Sequence, residues 1–286
     1  MFPFQERMLR SPPDTESNVV AMIPLQTLVE NSREHSRKYQ KVIQTTARLP
    51  VSELKGGGDI KWLEPGQDVP KPLVDELLRR FSTKEGYDIF PDVLPFFKML
   101  RTRSSTNDAE IWPWNKTVVG IITNSDNRVP GILESFGLKV GPRRVGAPDE
   151  REAHAALEDD ISFVVLSYDV GVEKPQRAIF DAAYNSFQET LASRGDKSNP
   201  QDWEKLYIGD SLKHDVVGAN QAGWKALRLD RQDQDQDSRI SKGIRVTQEH
   251  VKTGNGSYDI EVYTIKDLEA LHSIDPTKRW PGKESL

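Results

Sequence analysis

Up to about residue 115 the apolar positions recur at helical spacing. Beyond Lys116, short unbroken apolar runs alternate with helical stretches. A helix returns to the same face every three or four residues, whereas a strand covered on both faces is apolar throughout. On that basis "NVVAMI" (18–23) predicts a short strand. "LQTLVENSREHSRKYQKVI" has Leu25, Leu28, Val29, Val42 and Ile43 with charges between them and predicts a helix with a polar middle. "PKPLVDELLRRFS" predicts a helix reaching Phe81. Phe96, Phe97 and Leu100 are spaced for another, with Asp92 as its N-terminal cap.

After Lys116, "TVVGIIT", "ISFVVLS", "EKLYIG" and "KALRL" predict buried strands, and "PGILESFGL" (ending at Gly137), "PQRAIFDAAYNSF" and "DVVGANQAGW" predict helices between them. "VYTIKDLEALHSI" predicts a closing strand and short helix. Alternation in units of about 30 residues implies right-handed crossovers and a parallel sheet covered on both faces. The expected fold class is therefore α/β, a Rossmann-like parallel sheet. Residues 1–17, polar with adjacent prolines, are expected to be loosely attached or disordered. "KGGGD" (55–59) is expected to be a flexible break, and the tryptophans of 102–116 to wedge that polar connection onto the core. "DRQDQDQDSRISKG" lacks the glycine and terminal glutamate of a calcium loop and reads as a solvated insertion.

Composition narrows the partners. The chain has 286 residues, 36% hydrophobic and 29% charged, which suits one sizeable core domain with a smaller appendage. No window approaches the roughly 18 consecutive apolar residues of a membrane span, and the first residues have no apolar signal region. With no cysteine, disulfides, thiolate metal sites and a Cys nucleophile are excluded. A cytoplasmic location is expected, and the glycosylation-like triplets at Asn115 and Asn255 read as chance matches. A net charge of −5 argues against nucleic acid as a partner, and "GPRRVG" reads as a solvated loop.

Candidate chemistry gathers at strand ends, where ligands of such sheets bind. The first strand after Lys116 delivers Thr123, Asn124 and Asp126. "GVEKPQRAIF" delivers Lys174 ahead of a helix expected to start at Pro175, and "IGDSLKHD" delivers Asp210 and Asp215. Two close carboxylates repel unless a cation lies between them, and oxygen donors suit Mg²⁺. An ammonium neutralises phosphoryl oxygens, while a Thr hydroxyl and loop N–H groups supply hydrogen bonds. Each signal alone is equally a cap or a turn. Together, on one edge, they describe a site for a phosphate and a divalent cation. His214 reads as an exposed helix residue. No Gly-x-Gly-x-x-Gly follows a strand, and no Gly-x-Ser-x-Gly elbow is present.

The stretches "VVGIITNSDNRVPGILESFGL", "VVLSYDVGVEKPQRAIFDAA" and "LYIGDSLKHDVVGANQAGW" resemble the second, third and fourth motifs of the haloacid dehalogenase (HAD) superfamily, in its helical-cap branch. The resemblance implies a HAD-like core domain over 91–286, a helical cap with a degenerate first strand over 18–90, and phosphatase chemistry on a small phosphorylated metabolite with Mg²⁺. It makes Thr123 the phosphate-binding hydroxyl with Asn124 beside it, Lys174 the charge-neutralising and catalytic lysine, and Asp210 and Asp215 the magnesium-side acids, Asp210 also catalytic.

The first motif, an apolar strand ending in Asp-x-Asp/x-Gly-Thr whose first aspartate attacks phosphorus, is not found. Aligning Thr27–Leu28 with its Thr-Leu puts Ile23 at the attacking position. Truncation or decay of the motif would each produce this, and hydrolysis is expected to be impaired; a non-catalytic binding or regulatory protein is the alternative. In the family the first strand lies between those carrying the second and fourth motifs. Either 18–23 fills that gap, or two buried strands lack a partner.

Overall fold

The computed structural model describes residues 17–31, 71–103, 112–145, 156, 158–232, 243–253 and 256–274. "NVVAMI" forms β1 (Asn18–Ile23), buried at all six positions. The chain then makes one helical turn, α1 (Leu25–Leu28), and a short strand, β2 (Val29–Asn31). After α2 (Lys71–Arg80), β3 (Tyr87–Ile89) pairs antiparallel with β2 in a small separate sheet. There follow α3 (Val93–Arg103), β4 (Lys116–Thr123), α4 (Val129–Ser135), β5 (Phe163–Leu166), α5 (Ser167–Val170) and α6 (Arg177–Ser193). Next come β6 (Glu204–Gly209), α7 (Gly218–Gln221), β7 (Lys225–Leu229), β8 (Arg245–Thr253) and β9 (Gly256–Ile265), and the described chain closes with a short 3-10 helix, Leu268–Ser273, as expected.

The main sheet runs β5-β4-β1-β6-β7-β9-β8, and only the β8–β9 pairing is antiparallel. β1 is therefore the central strand. All six of its residues pair with Asn/Lys to Ile/Ile register from Lys116 to Ile121 of β4, and Val19–Met22 pair with Glu204–Tyr207 of β6. Of the two outcomes open to the sequence, the gap is filled by 18–23, and both neighbours keep their ladder partner. Alternation along β1 divides its side chains between two cores. Val19 and Ile23 join Phe97, Trp114 and Ile132 on one face. Val20 and Met22 join Phe163, Phe180 and Tyr207 on the other. α6 covers that second face with Ile179, Phe180, Ala183, Phe187 and Leu191, the stripe its spacing predicts. Trp112 and Trp114 are buried, wedging their loop onto the first core as expected.

The structure corrects several local expectations. The helix predicted from Leu25 stops after one turn, because Val29 is extended and the Leu28 carbonyl accepts the Phe90 N–H at 3.1 Å. Tertiary pairing overrides the local pattern there. Asp92 does not cap α3 with its side chain; it takes Arg231 Nη1 at 2.7 Å and the Leu268 N–H at 2.8 Å. The helix after Asp210 is a π-helical stretch, Leu212–Val217, followed by α7. The helix after Lys174 starts at Arg177, not Pro175. The β8–β9 hairpin, apart from its final apolar run, went unpredicted because charged residues punctuate it. The charges on β8 suit an edge strand that must not recruit further strands. The N-terminal tail to residue 16, the break at 55–59, residues 32–70 of the expected cap and 233–242 of the Asp-Gln insertion lie outside the described residues.

Candidate functional site

The carboxyl ends of β1, β4, β5 and β6 form one lip. Thr123 is the last residue of β4 and is fully buried; its hydroxyl donates to Gln26 Oε1 at 3.2 Å. Asn124 clamps the backbone of Lys174 at two points. Its Oδ1 accepts the Lys174 N–H at 2.8 Å, and its Nδ2 donates to the Lys174 carbonyl at 3.2 Å. A loop residue 50 positions away is thereby held against the β4 tip.

The clamp aims the Lys174 side chain inward. Its Nζ donates to Asp215 Oδ1 at 2.6 Å and to the Tyr207 hydroxyl at 2.9 Å. Tyr207, on β6, in turn donates toward the same Asp215 oxygen at 3.0 Å. Asp215 Oδ2 accepts the Ser211 N–H at 2.9 Å. Lysine and aspartate are both buried, so the cost of removing both charges from water must be offset by their mutual attraction and by the hydrogen bonds from Tyr207 and Ser211. Burial, and then the negative charge of Asp215, push the Tyr207 hydroxyl well above its ordinary range, so it remains a neutral donor.

Small residues make this packing possible. A Cβ on Gly209 would lie 2.5 Å from Asp215 Cγ, so the strand can pass that carboxylate only as glycine. A Cβ on Gly218 would lie 2.9 Å from Pro175 Cβ, which explains a glycine where α7 meets the residue after Lys174. Asp210, on the outer side, is exposed. Partial burial of its carboxyl and the charge of Asp215 push it above the usual carboxylate range.

The structure thus brings Lys174 and Asp215 into contact, couples Asp210 to Asp215, and ties Thr123 to Lys174 through Asn124. At the tip of β1, between the ends of β4 and β6, stand Ile23 and Leu25, both buried. His214 is exposed and bonds to Ser211, a turn contact. Asp126 does not join the cluster; it forms a bidentate pair with Arg128. Sequence reasoning missed Tyr207, although a tyrosine inside an apolar strand must find a partner for its hydroxyl. It also missed Gln26, for which no signal existed.

The donors available to a metal are few. Asp215 already serves Lys174, Tyr207 and Ser211, while Asp210 is exposed and near enough to Asp215 to feel its charge. Among the described residues no group of three acidic or histidine side chains could hold an ion. Mg²⁺ commonly keeps several waters and takes one or two carboxylates plus phosphate oxygens. Asp210 and Asp215 fit that hydrated mode and no all-protein cage.

A mostly parallel sheet with flanking helices carries this lip. Residues 172–246 match the family described as HAD-hydrolase-like, which bears out the resemblance drawn from the motifs. A protein of Schizosaccharomyces pombe named as an uncharacterized hydrolase is 32% identical over 57% of this chain and 56% of its own length. An uncharacterized protein of Saccharomyces cerevisiae is 27% identical over 58% of this chain and 46% of its own. The chain thus spans about half the length of these curated relatives. Among solved structures, a HAD phosphatase of Thermococcus onnurineus aligns with TM-score 0.47 and 18% identity, covering 92% of this chain and 100% of that one. A HAD-hydrolase of Bacillus subtilis bound to magnesium aligns with TM-score 0.45 and 15% identity, covering 91% and 99%. No helix among the described residues is long and apolar enough to cross a membrane.

Proposed function

We propose that this chain is a HAD-like protein that takes a small phosphorylated ligand at its lip without hydrolysing it. The observation that carries this reading is the tip of the central strand. Ile23 and Leu25, both buried, stand where covalent catalysis would need a carboxylate. Both sides of β1 are hydrogen-bonded, by β4 and by β6, so no other strand has room at that place in the sheet. Thr123, Asn124 and Lys174 stand together at the lip that such a ligand would meet. Where Mg²⁺ is bound, Asp210 and Asp215 would hold it, and it would supply positive charge beside the ligand's oxyanion. Expected partners are small metabolites in the cytoplasm, with neither nucleic acid nor membrane.

A second reading is a magnesium-dependent phosphatase working through an aspartyl-phosphate. The grouping of Lys174, Asp210 and Asp215 favours it, and the apolar β1 tip opposes it. A p-nitrophenyl phosphate assay with Mg²⁺, run beside calorimetric titration of inorganic phosphate, separates the two. The proposal expects phosphate binding and no turnover above the protein-free rate. Turnover that requires Mg²⁺ and disappears in Asp210→Ala would establish the phosphatase instead. Neither turnover nor binding would remove both.

A further inference from the structure

The donors of the lip are spent inside the protein. The Thr123 hydroxyl goes to Gln26, two of the three Lys174 ammonium protons go to Asp215 and Tyr207, and Asn124 is occupied by the Lys174 backbone. The neighbouring cations are also matched, Arg128 by Asp126 and Arg143 by Asp169. The two Lys174 ammonium contacts are buried and cannot be released without disturbing the core. The partner of the Thr123 hydroxyl, Gln26, differs. It is exposed, while the other three residues of α1, namely Leu25, Thr27 and Leu28, are buried. Its backbone is held in place from below, because Arg231 Nη2 donates to the Thr27 carbonyl at 3.0 Å while its guanidinium stacks on Phe90 and pairs with Asp92. α1 is thus a fixed turn presenting one exposed residue to the lip, and its side chain covers a hydroxyl with no exposure of its own.

We infer that Gln26 determines whether the lip accepts an oxyanion: its amide occupies the Thr123 hydroxyl, and an anion binds there only when the amide swings out to solvent. The inference rests on the reading of Thr123 and Lys174 as an anion site and names the residue that controls it. Release is cheap for Gln26, since an exposed amide exchanges its bond with Thr123 for bonds with water. An incoming phosphate oxygen would receive the freed Thr123 hydroxyl and the remaining Lys174 proton. Gln26 thereby acts as a competing internal ligand, weakening anion binding by the strength of one exchanged hydrogen bond.

The test is calorimetric titration of inorganic phosphate into the full chain and into Gln26→Ala, Gln26→Gly and Thr123→Val, with the double variant Gln26→Ala/Thr123→Val. Shortening Gln26 is expected to tighten phosphate binding about three- to tenfold, the range spanned by one exchanged hydrogen bond. The gain is expected to vanish in the double variant. Equal affinity in the parent and both Gln26 variants would overturn the inference, as would a gain that persists without the Thr123 hydroxyl. Phosphate binding by none of the proteins would overturn it too, whereas failure of the non-hydrolytic reading would appear separately as Mg²⁺-dependent turnover. Gln26→Ala keeps helix propensity, so it guards against a Gln26→Gly result caused by loosening the turn.

Discussion

Lys174 and Asp215 form an ammonium–carboxylate pair almost cut off from water, with side chains 5% and 2% exposed. Such a pair adds little net stability, but removing one partner leaves the other as an uncompensated buried charge. Asp215→Asn is therefore expected to lower unfolding stability by about 3–5 kcal/mol in urea melts. The double replacement Lys174→Met/Asp215→Leu, which removes both charges, is expected to recover a large part of that loss. A double variant no more stable than Asp215→Asn would show that the pair holds the lip by something other than charge compensation. The Tyr207 hydroxyl, neutral across the whole physiological range, is the fixed point around which both groups are arranged.

The central strand settles the architecture of the elements around it. β1 touches both cores, and its neighbour β4 carries a glycine where the second core leaves no room for a Cβ. A Cβ on Gly120 would fall 2.7 Å from the Phe163 ring and 2.8 Å from Met22 Sδ. Phe163 and Met22 are fully buried and have nowhere to retreat. Gly120→Val should accordingly cost about 1–3 kcal/mol or more through overpacking, measured as a fall in the urea midpoint with unchanged slope. A loss within ~0.5 kcal/mol would mean that the face between β1, β4 and β5 is looser than these distances imply. The same elements show why pattern reading succeeded for β4–β7 and α6 and failed for α1 and β2. A strand buried on two faces or a helix with one apolar stripe announces itself locally. The turn at Leu25–Leu28 ends because Phe90, far along the chain, bonds its last carbonyl.

Across the whole molecule, contacts between distant segments tie the sheet to its covering helices. Lys116, at the start of β4, pairs at 2.9 Å with Asp196, just past the end of α6. Burial pushes the Asp196 carboxyl up, but the Ser198 backbone N–H and hydroxyl together with Lys116 outweigh it and hold it at about 2 against an ordinary 3.8. A carboxyl depressed in the folded state contributes stability above its unfolded value and loses it as pH falls through the folded one. The parent should thus lose part of its stability between about pH 4 and pH 2, by at most ~2 kcal/mol from this group. Asp196→Asn should be less stable at pH 7 and show a shallower acid limb in melts taken at successive pH values. An acid limb of unchanged slope would assign that loss to other carboxyls.

The sequence by itself determined the alternation of strands and helices after Lys116, the parallel sheet this implies, and the delivery of Thr123, Lys174, Asp210 and Asp215 to strand ends. Those features depend on local periodicity and on chain positions relative to strand ends. Only the tertiary structure decided that 18–23 is the central strand, that Ile23 at its end and Leu25 just beyond it are both buried, and that Lys174 is already neutralised by Asp215. Pairing and side-chain contact join residues far apart in the chain, as where Val19–Met22 meet 117–120 and 204–207 and where Lys174 meets Asp215 41 positions on. Register and charge compensation across such separations are set by which surfaces can be buried together, and no local period encodes that.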